Sequence, residues 1–532
     1  MTSDIPTNNV GLAVMTTLRN YGINTIFGIP GTHNLEFYRH LKPLGIHPVT
    51  TRHEQGAGYG ADGWSQLTGL PGVVITTSGP GLLNAMSAAA TAYCESRPMI
   101  ILSPGAPLGS EFSDIGALHE TRDPTGAVRA LIGRSTRVSS GQEAVELIHG
   151  AFAHFAHARP RPVHIEIPLD LLESASDVDP ADCAARPLGA PKKADADAVA
   201  AAADILRNAS NPVILAGGGS LGTGGALLEL AEALRAPVIT TINGKGAIPE
   251  AHPLSLGSEI RLTAAQDLCN ASDALLVIGS KVGESELWGG KMVPQGSCIR
   301  IDIDAAQLET NLAPEIGLCG NAAAVVPQLL EVLAGHRAAP APELAPLRQD
   351  LRAEARSLAP VLARINEILA AALPADTVIG GDSSQITYFG TTSFFPMQQP
   401  HQLLYTPAYA TLGYGLPASI GAKVAAPERP VVCLLGDGAL MFAVQEFITA
   451  VEQGVDLPII CVNNGGYGEI RQNMAGRDIE PVGVNLTQPD WVRLAEGFGL
   501  TAFEVGSLDE LAHTVRQAMA VKGPSLIHVS IQ

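Results

Sequence analysis

Cationic side chains, aromatic rings and paired cysteines are all scarce in this chain of 532 residues. Lys and Arg number 33 against 52 Asp and Glu, for a formal net charge of −19. No basic cluster breaks that acidic balance, which excludes a nucleic-acid-binding face and leaves small molecules and sister subunits as partners. The seven cysteines include no CxxC pair; an odd, unpaired set reads as buried reduced thiols in a cytoplasmic protein, none placed as a nucleophile. Long apolar runs are missing too. VVCLLGDGALMFAV is short and interrupted, so no membrane span is expected, and the amino-terminal MTSDIPTNN lacks the basic and apolar pattern of a secretory leader.

What is abundant is small. Glycine alone contributes 56 residues, and apolar strands alternate with helical stretches, the pattern of an α/β enzyme. The length exceeds one compact core and suggests three domains. Two Pro/Ala-rich, charged breaks, AARPLGAPKKADADA (Ala184–Ala198) and AGHRAAPAPELAPLRQD (Ala334–Asp350), read as linkers. They divide the chain into 1–183, 199–333 and 351–532. The first and third parts end alike, RPVHIEIP and GPSLIHVSI, each a closing strand after a helix, which predicts two related doubly wound domains.

The most informative stretch is GDGALMFAVQEFITAVEQGVDLPIICVNN, Gly436–Asn464. Val431–Leu435 reads as a buried strand that delivers Asp437 to its carboxyl edge, with Gly436 and Gly438 letting backbone approach a ligand. Phe442–Gln453 is expected as a helix beside that turn, and PIICVNN brings Asn464 to the same edge. One carboxylate, one amide oxygen and a backbone carbonyl near Gly466 make a hard oxygen set suited to Mg²⁺, with a diphosphate completing the octahedron.

A Gly-Asp-Gly turn followed by Asn-Asn resembles the signature of thiamine-diphosphate enzymes, and further segments carry the resemblance along nearly the whole chain. It implies three doubly wound parallel-sheet domains: pyrimidine-binding, middle and diphosphate-binding. It also implies thiamine diphosphate bridging two subunits of a homodimer at least, with a homotetramer expected. Thr51-Arg52-His53-Glu54-Gln55 is similar to the family's glutamate motif, which makes Glu54 the carboxyl that drives the cofactor's aminopyrimidine to its imino form. TTSGPGLLN resembles the family's glycine turn, with Gly79 and Asn84 beside the cofactor. TPAYATLGYG resembles the segment that bends it, Leu412 propping the rings and the carbonyl near Ala410 holding the aminopyrimidine. Gly436, Asp437, Gly438, Ala439, Asn464, Gly466 and Tyr467 complete the cofactor set, with Asp437, Asn464 and Gly466 on the metal.

The middle third holds a competing motif. Gly217, Gly219 and Gly222 follow a strand in a GxGxxG pattern that opens a helix, the mark of a dinucleotide oxidoreductase. The next strand, APVITTINGKG, ends without the Asp or Glu that would bind a ribose. Acetolactate synthases bind FAD in this domain through an Arg-Phe-Asp-Asp-like segment. Gly279-Ser280-Lys281-Val282-Gly283-Glu284 stands there instead, so FAD is doubtful.

The residues around the reacting carbon select the product. His119, in Ala117–Glu120 where acetolactate synthases have Phe-Gln-Glu, is expected as a proton donor. Ile470 stands where pyruvate decarboxylases place a glutamate, so that activity is not expected. Thr32 and His33 lie on the turn that resembles the family's first active-site loop. GYGEIRQNMAGRDIEPVGVN with FGIPGTHNLEFYRHL is similar to 5-guanidino-2-oxopentanoate decarboxylases. That implies non-oxidative loss of CO₂ from a guanidino 2-oxo acid to give 4-guanidinobutanal. Glu469, Asp478, Glu480 and Asp382 are the acids expected near a guanidinium tail. The alternatives are an acetolactate-synthase-like carboligase, a dinucleotide oxidoreductase and a catalytically silent thiamine-diphosphate-binding subunit.

Overall fold

A computed structural model describes residues 5–336 and 343–531; Met1–Asp4, residues 337–342 of the second expected linker, and Gln532 lie outside them. Among the described residues, seventeen strands form three sheets, and every ladder within those sheets is parallel. The first contains β1 (Thr25–Gly28), β2 (His47–Thr50), β3 (Gly72–Ile75), β4 (Met99–Gly105), β5 (Ser135–Arg137) and β6 (Val163–Pro168). The second contains β7 (Pro212–Ala216), β8 (Val238–Thr240), β9 (Ala274–Ile278), β10 (Ser297–Asp302) and β11 (Ile316–Cys319). The third contains β12 (Val378–Gly381), β13 (Leu403–Leu404), β14 (Val431–Gly436), β15 (Pro458–Asn463), β16 (Thr501–Val505) and β17 (Ser525–Ser530). The expected α/β class with three parallel sheets is what the chain adopts.

The first sheet runs β2-β1-β3-β4-β6-β5 and the third β13-β12-β14-β15-β17-β16. These are one topology used twice, so the echo between RPVHIEIP and GPSLIHVSI is a true correspondence: β6 and β17 occupy the same place. The middle sheet runs β11-β10-β9-β7-β8. In each, chain order reverses between the first and third strands, opening a crevice at their carboxyl ends.

Strands covered on both faces need apolar side chains in both directions. In β14, Val431, Cys433 and Leu435 enter one core while Val432 and Leu434 enter the opposite one. Five cysteines are buried as expected, whereas Cys94 and Cys319 are half-buried; all seven are free thiols.

Two helices bind the first unit to the third. Helix Glu54–Thr68 crosses helix Gly415–Ala425 with backbones nearly touching. A Cβ on Gly63 would overlap the Ala418 carbonyl, and one on Gly421 would overlap that of Gly60. The small residues of GYGADGWSQ and GLPASIGA exist for this approach. Gly63→Val is therefore expected to lower the thermal unfolding midpoint by at least about 5 °C, read by calorimetry, because overpacking here meets backbone that cannot move aside.

Candidate active site

The loops after β12, β14 and β15 surround a cavity of about 490 Å³ lined by Ser383, Ser384, Ala410, Leu412, Asp437, Asn464, Tyr467, Glu469 and Ile470. Gly436, Gly438, Ala439 and Gly466 line it too. Asp437 is 1% exposed, and burial raises its pKa against the backbone N–H groups that face it. Its Oδ1 accepts the Asn464 N–H at 3.2 Å, while its Oδ2 is buried without a hydrogen bond. Asn464 presents its side-chain oxygen to two other oxygens. Turned over, its amide nitrogen would donate to Gly466 O at 2.9 Å and Asp437 Oδ1 at 3.2 Å. Three oxygens converging with no proton between them is the environment a hard divalent cation occupies, so these residues fit Mg²⁺. The set includes only one acidic side chain, and no group of three or more His, Cys, Asp or Glu is assembled among the described residues.

Glycine keeps this floor open. A Cβ on Gly438 would reach the Tyr467 ring at 3.0 Å and Gly466 O at 3.2 Å, and Gly466 sits at φ +133°. Sequence reasoning missed two neighbours from the end of β12: Ser384, whose Oγ accepts the Gly436 N–H at 3.0 Å, and Ser383 beside it. Their signal was Asp-Ser-Ser directly after an apolar strand of the same sheet. The expected helix Phe442–Gln453 is corrected to one short helix, Asp437–Leu440, and a second that runs only from Glu446 to Glu452. Between them the chain coils through i+3 hydrogen bonds, Phe442 N–H to Ala439 O and Ala443 N–H to Leu440 O, which leaves Met441 and Phe442 half exposed.

A second cluster lies at the carboxyl edge of the first sheet. Glu54 opens its helix, 8% exposed, and its Oε2 accepts from Asn84 Nδ2 at 3.0 Å. A Cβ on Gly81 would stand 3.1 Å from its Oε1. Gly79, at φ +60°, backs onto the His119 carbonyl, 2.5 Å from where a Cβ would be. His119 itself has φ +61°. Its ring meets His33 edge-on with centroids 5.2 Å apart, and its Nδ1 is buried without a partner. His33 Nδ1 and Ser78 Oγ are 2.6 Å apart; desolvation, then the neighbouring His119, lowers the His33 pKa. Thr32 is exposed on the same turn.

The two clusters do not merge within one chain, since the cavity at Asp437 is lined by no residue of the first sheet's unit. Of the acids expected near a substrate tail, Glu469 lines that cavity, whereas Asp478 and Glu480 are exposed and do not. Asp382, expected near the guanidinium tail, is an interior residue instead. It is 1% exposed, burial pushes its pKa up to about 6, and its carboxylate accepts the N–H groups of Ser383, Gly413 and Gly415.

The GxGxxG segment lines a separate cavity of about 580 Å³ between the first and second units. Its glycines serve loop contact. A Cβ on Gly219 would stand 2.8 Å from the Gly279 Cα, and the segment forms a 3₁₀ turn, the helix starting only at Ala226. Asp302, at the end of β10, is held by Arg159 at 2.8 and 2.7 Å, so the carboxylate that this cavity presents is already paired.

Sheets of this order, with an oxygen cluster after β14 and β15 and a buried glutamate after β2, define a thiamine-diphosphate-dependent enzyme. The chain belongs to that family: the thiamine pyrophosphate enzyme N-terminal TPP binding domain matches residues 8–125, the central domain 199–329 and the C-terminal TPP binding domain 385–529. It is 38% identical to a probable 2-ketoarginine decarboxylase of Pseudomonas aeruginosa, over 98% of this chain and 94% of that protein. It is 31% identical to a probable acetolactate synthase large subunit of Methanocaldococcus jannaschii, over 98% and 91%, and 30% identical to the acetolactate synthase isozyme 1 large subunit of Escherichia coli, over 97% and 92%.

Asp437→Ala is expected to weaken joint binding of Mg²⁺ and thiamine diphosphate by about 100-fold or more, because it removes the only formal charge on the oxygen cluster. Titration calorimetry of the variant with both ligands reads this directly.

Proposed function

We propose that this protein decarboxylates 5-guanidino-2-oxopentanoate to 4-guanidinobutanal and CO₂, using thiamine diphosphate and Mg²⁺. The observation that carries the substrate is Glu469. Its Oε2 accepts from Gln385 Nε2 at 3.0 Å and from the Tyr388 hydroxyl at 3.2 Å, so the carboxylate is aimed and held at the cavity wall. No ion pair to it is found among the described residues. A fixed carboxylate without an ion-pair partner suits a planar cationic tail; the rings of Trp288 and Phe389 behind Tyr388 already carry the Arg261 guanidinium, at 4.9 and 5.7 Å from their centroids, so the tail's partner is the Glu469 carboxylate and not those rings. The name carried by the Pseudomonas aeruginosa relative supports the same substrate.

Thiamine diphosphate, once bound, supplies a carbon nucleophile and an electron sink for loss of CO₂ from a 2-oxo acid. Asp437, Asn464 and the Gly466 carbonyl are the oxygens that would hold Mg²⁺. Leu412 and the Ala410 carbonyl shape the aminopyrimidine end. Glu54, with Oε2 held by Asn84, would be the carboxyl that hydrogen-bonds the pyrimidine nitrogen. His119, in contact with a His33 ring that Ser78 orients, delivers a proton to the product carbon. Because the Asp437 cavity has no residue from the first unit, a second copy of the chain supplies Glu54, which makes the enzyme a homodimer at least.

Mixing tests the shared site. Glu54→Gln and Asp437→Ala proteins should each be inactive, yet their 1:1 mixture, after subunit exchange, should regain about a quarter of wild-type activity, since half the dimers then hold one intact site of two. A site built within one chain would regain none.

The guanidino substrate should exceed a neutral 2-oxo acid of equal length in kcat/KM by about 30-fold or more, one desolvated charge-assisted pair being worth roughly 2 to 3 kcal/mol. Glu469→Gln should erase most of that preference while leaving the neutral substrate nearly unchanged. Preference for pyruvate with release of acetolactate would replace this reading by the carboligase one.

A further inference from the structure

Between the two sheets that hold the clusters runs a loop, Thr406–Gly413, that carries both Ala410 and Leu412. It is poorly secured by packing: Ala408, Tyr409 and Ala410 are exposed. It is also strained at Ala410, which lies at φ +54°; a non-glycine residue there persists only where its surroundings dictate it. Something other than apolar burial has to hold this backbone.

Two carboxylates do so, from opposite ends. At the far end Asp382 takes the Gly413 N–H at 3.1 Å and the Gly415 N–H at 2.8 Å. At the near end stands Glu95, the last residue of helix Met86–Glu95 in the first unit, 8% exposed. Its Oε1 accepts both the Ala408 N–H at 2.8 Å and the Tyr409 N–H at 2.9 Å. Its Oε2 accepts from Asn243 Nδ2, in the middle unit, at 2.9 Å. Three N–H donors on one carboxyl favour its charged form, while burial pulls the other way and raises its pKa, with Arg97 opposing. Between the clamps, the Tyr59 hydroxyl lies 2.9 Å from Thr411 Oγ1.

We propose that Glu95 is a positioning residue for the cofactor: from the first unit it fixes the backbone that presents the Ala410 carbonyl and the Leu412 side chain to the aminopyrimidine of thiamine diphosphate. This rests on the reading that Ala410 and Leu412 hold that ring. Glu95 does not line the cavity at Asp437; it faces the second cavity instead, together with Asn243 and Ala408. Its effect passes through two backbone amides, so it acts on how well the site is preformed before anything binds.

The test compares Glu95→Ala and Glu95→Gln with wild type, as full-length protein. In the absence of cofactor, hydrogen exchange of the 405–413 peptide should speed up about tenfold or more in Glu95→Ala, since the amides of Ala408 and Tyr409 lose their acceptor. Calorimetry at saturating Mg²⁺ should show thiamine diphosphate bound about 10- to 100-fold more weakly. With cofactor saturating, KM for the 2-oxo acid should stay within about twofold, because the substrate's own contacts are intact. Glu95→Gln, which keeps a carbonyl acceptor for both N–H groups, should recover most of the binding. A Glu95→Ala protein that exchanges fast yet binds the cofactor normally overturns the proposal, as does one that weakens cofactor and substrate alike. Should Glu95→Ala not fold, Glu95→Asp takes its place, its carboxylate one methylene short of the loop; unchanged cofactor affinity there is equally fatal. Leu412→Ala separates the two layers. If it leaves thiamine diphosphate binding unaltered, the reading of the loop as a cofactor contact fails; if it weakens binding and the Glu95 variants do not, only the positioning role fails.

Discussion

Parallel pairing is the constraint on which the rest of this molecule depends. A parallel ladder cannot be closed by a tight turn, so each strand is followed by a crossover that returns to the same starting edge. All carboxyl ends of a sheet then face one way. In the third sheet that places the ends of β12, β14 and β15 side by side, and with them Ser384, Asp437 and Asn464. The same wiring in the first sheet gathers His33 after β1, Glu54 after β2 and Ser78 after β3. Helices on both faces exclude water from the strands, which is why Val431–Leu435 is apolar without alternation.

Within that frame, four buried acids are told apart by what faces them. Asp437 has an oxygen without a donor and stands among other oxygens, an arrangement that asks for a cation. Asp382 and Glu95 are met by backbone N–H groups and act on the chain itself. Glu54 is met by one amide, from Asn84, and keeps its other oxygen toward the glycine turn. Residue type alone distinguishes none of these tasks. The number and kind of donors does, and donors come from the loops that parallel wiring brings together.

The glycines show the same economy. Gly60, Gly63 and Gly421 let two helices touch, Gly438 and Gly466 keep a floor flat, and Gly219 and Gly279 let two loops of the middle sheet meet. The last pair resembles a dinucleotide fingerprint in sequence because both needs, close approach of a ligand or of another loop, are met by a missing Cβ.

Much was legible in advance because it depends on neighbours in the chain. Strand runs ending in Gly-Asp-Gly and Asn-Asn, the closing strands β6 and β17, and the small-residue helix after Glu54 are all local patterns, and the fold class and the family follow from them. What the sequence could not determine were relations across large separations. Asp382 is expected near a substrate tail and is interior instead, where Gly413 and Gly415 donate to it. Nothing in the sequence marks Glu95; Ala408, Tyr409 and Asn243 meet it only in the fold. The helix expected from Phe442 starts later because the chain first turns through i+3 hydrogen bonds. Local periodicity records which way a side chain points. Only the folded chain decides what it points at, since contact energies are set by partners that sequence spacing does not encode.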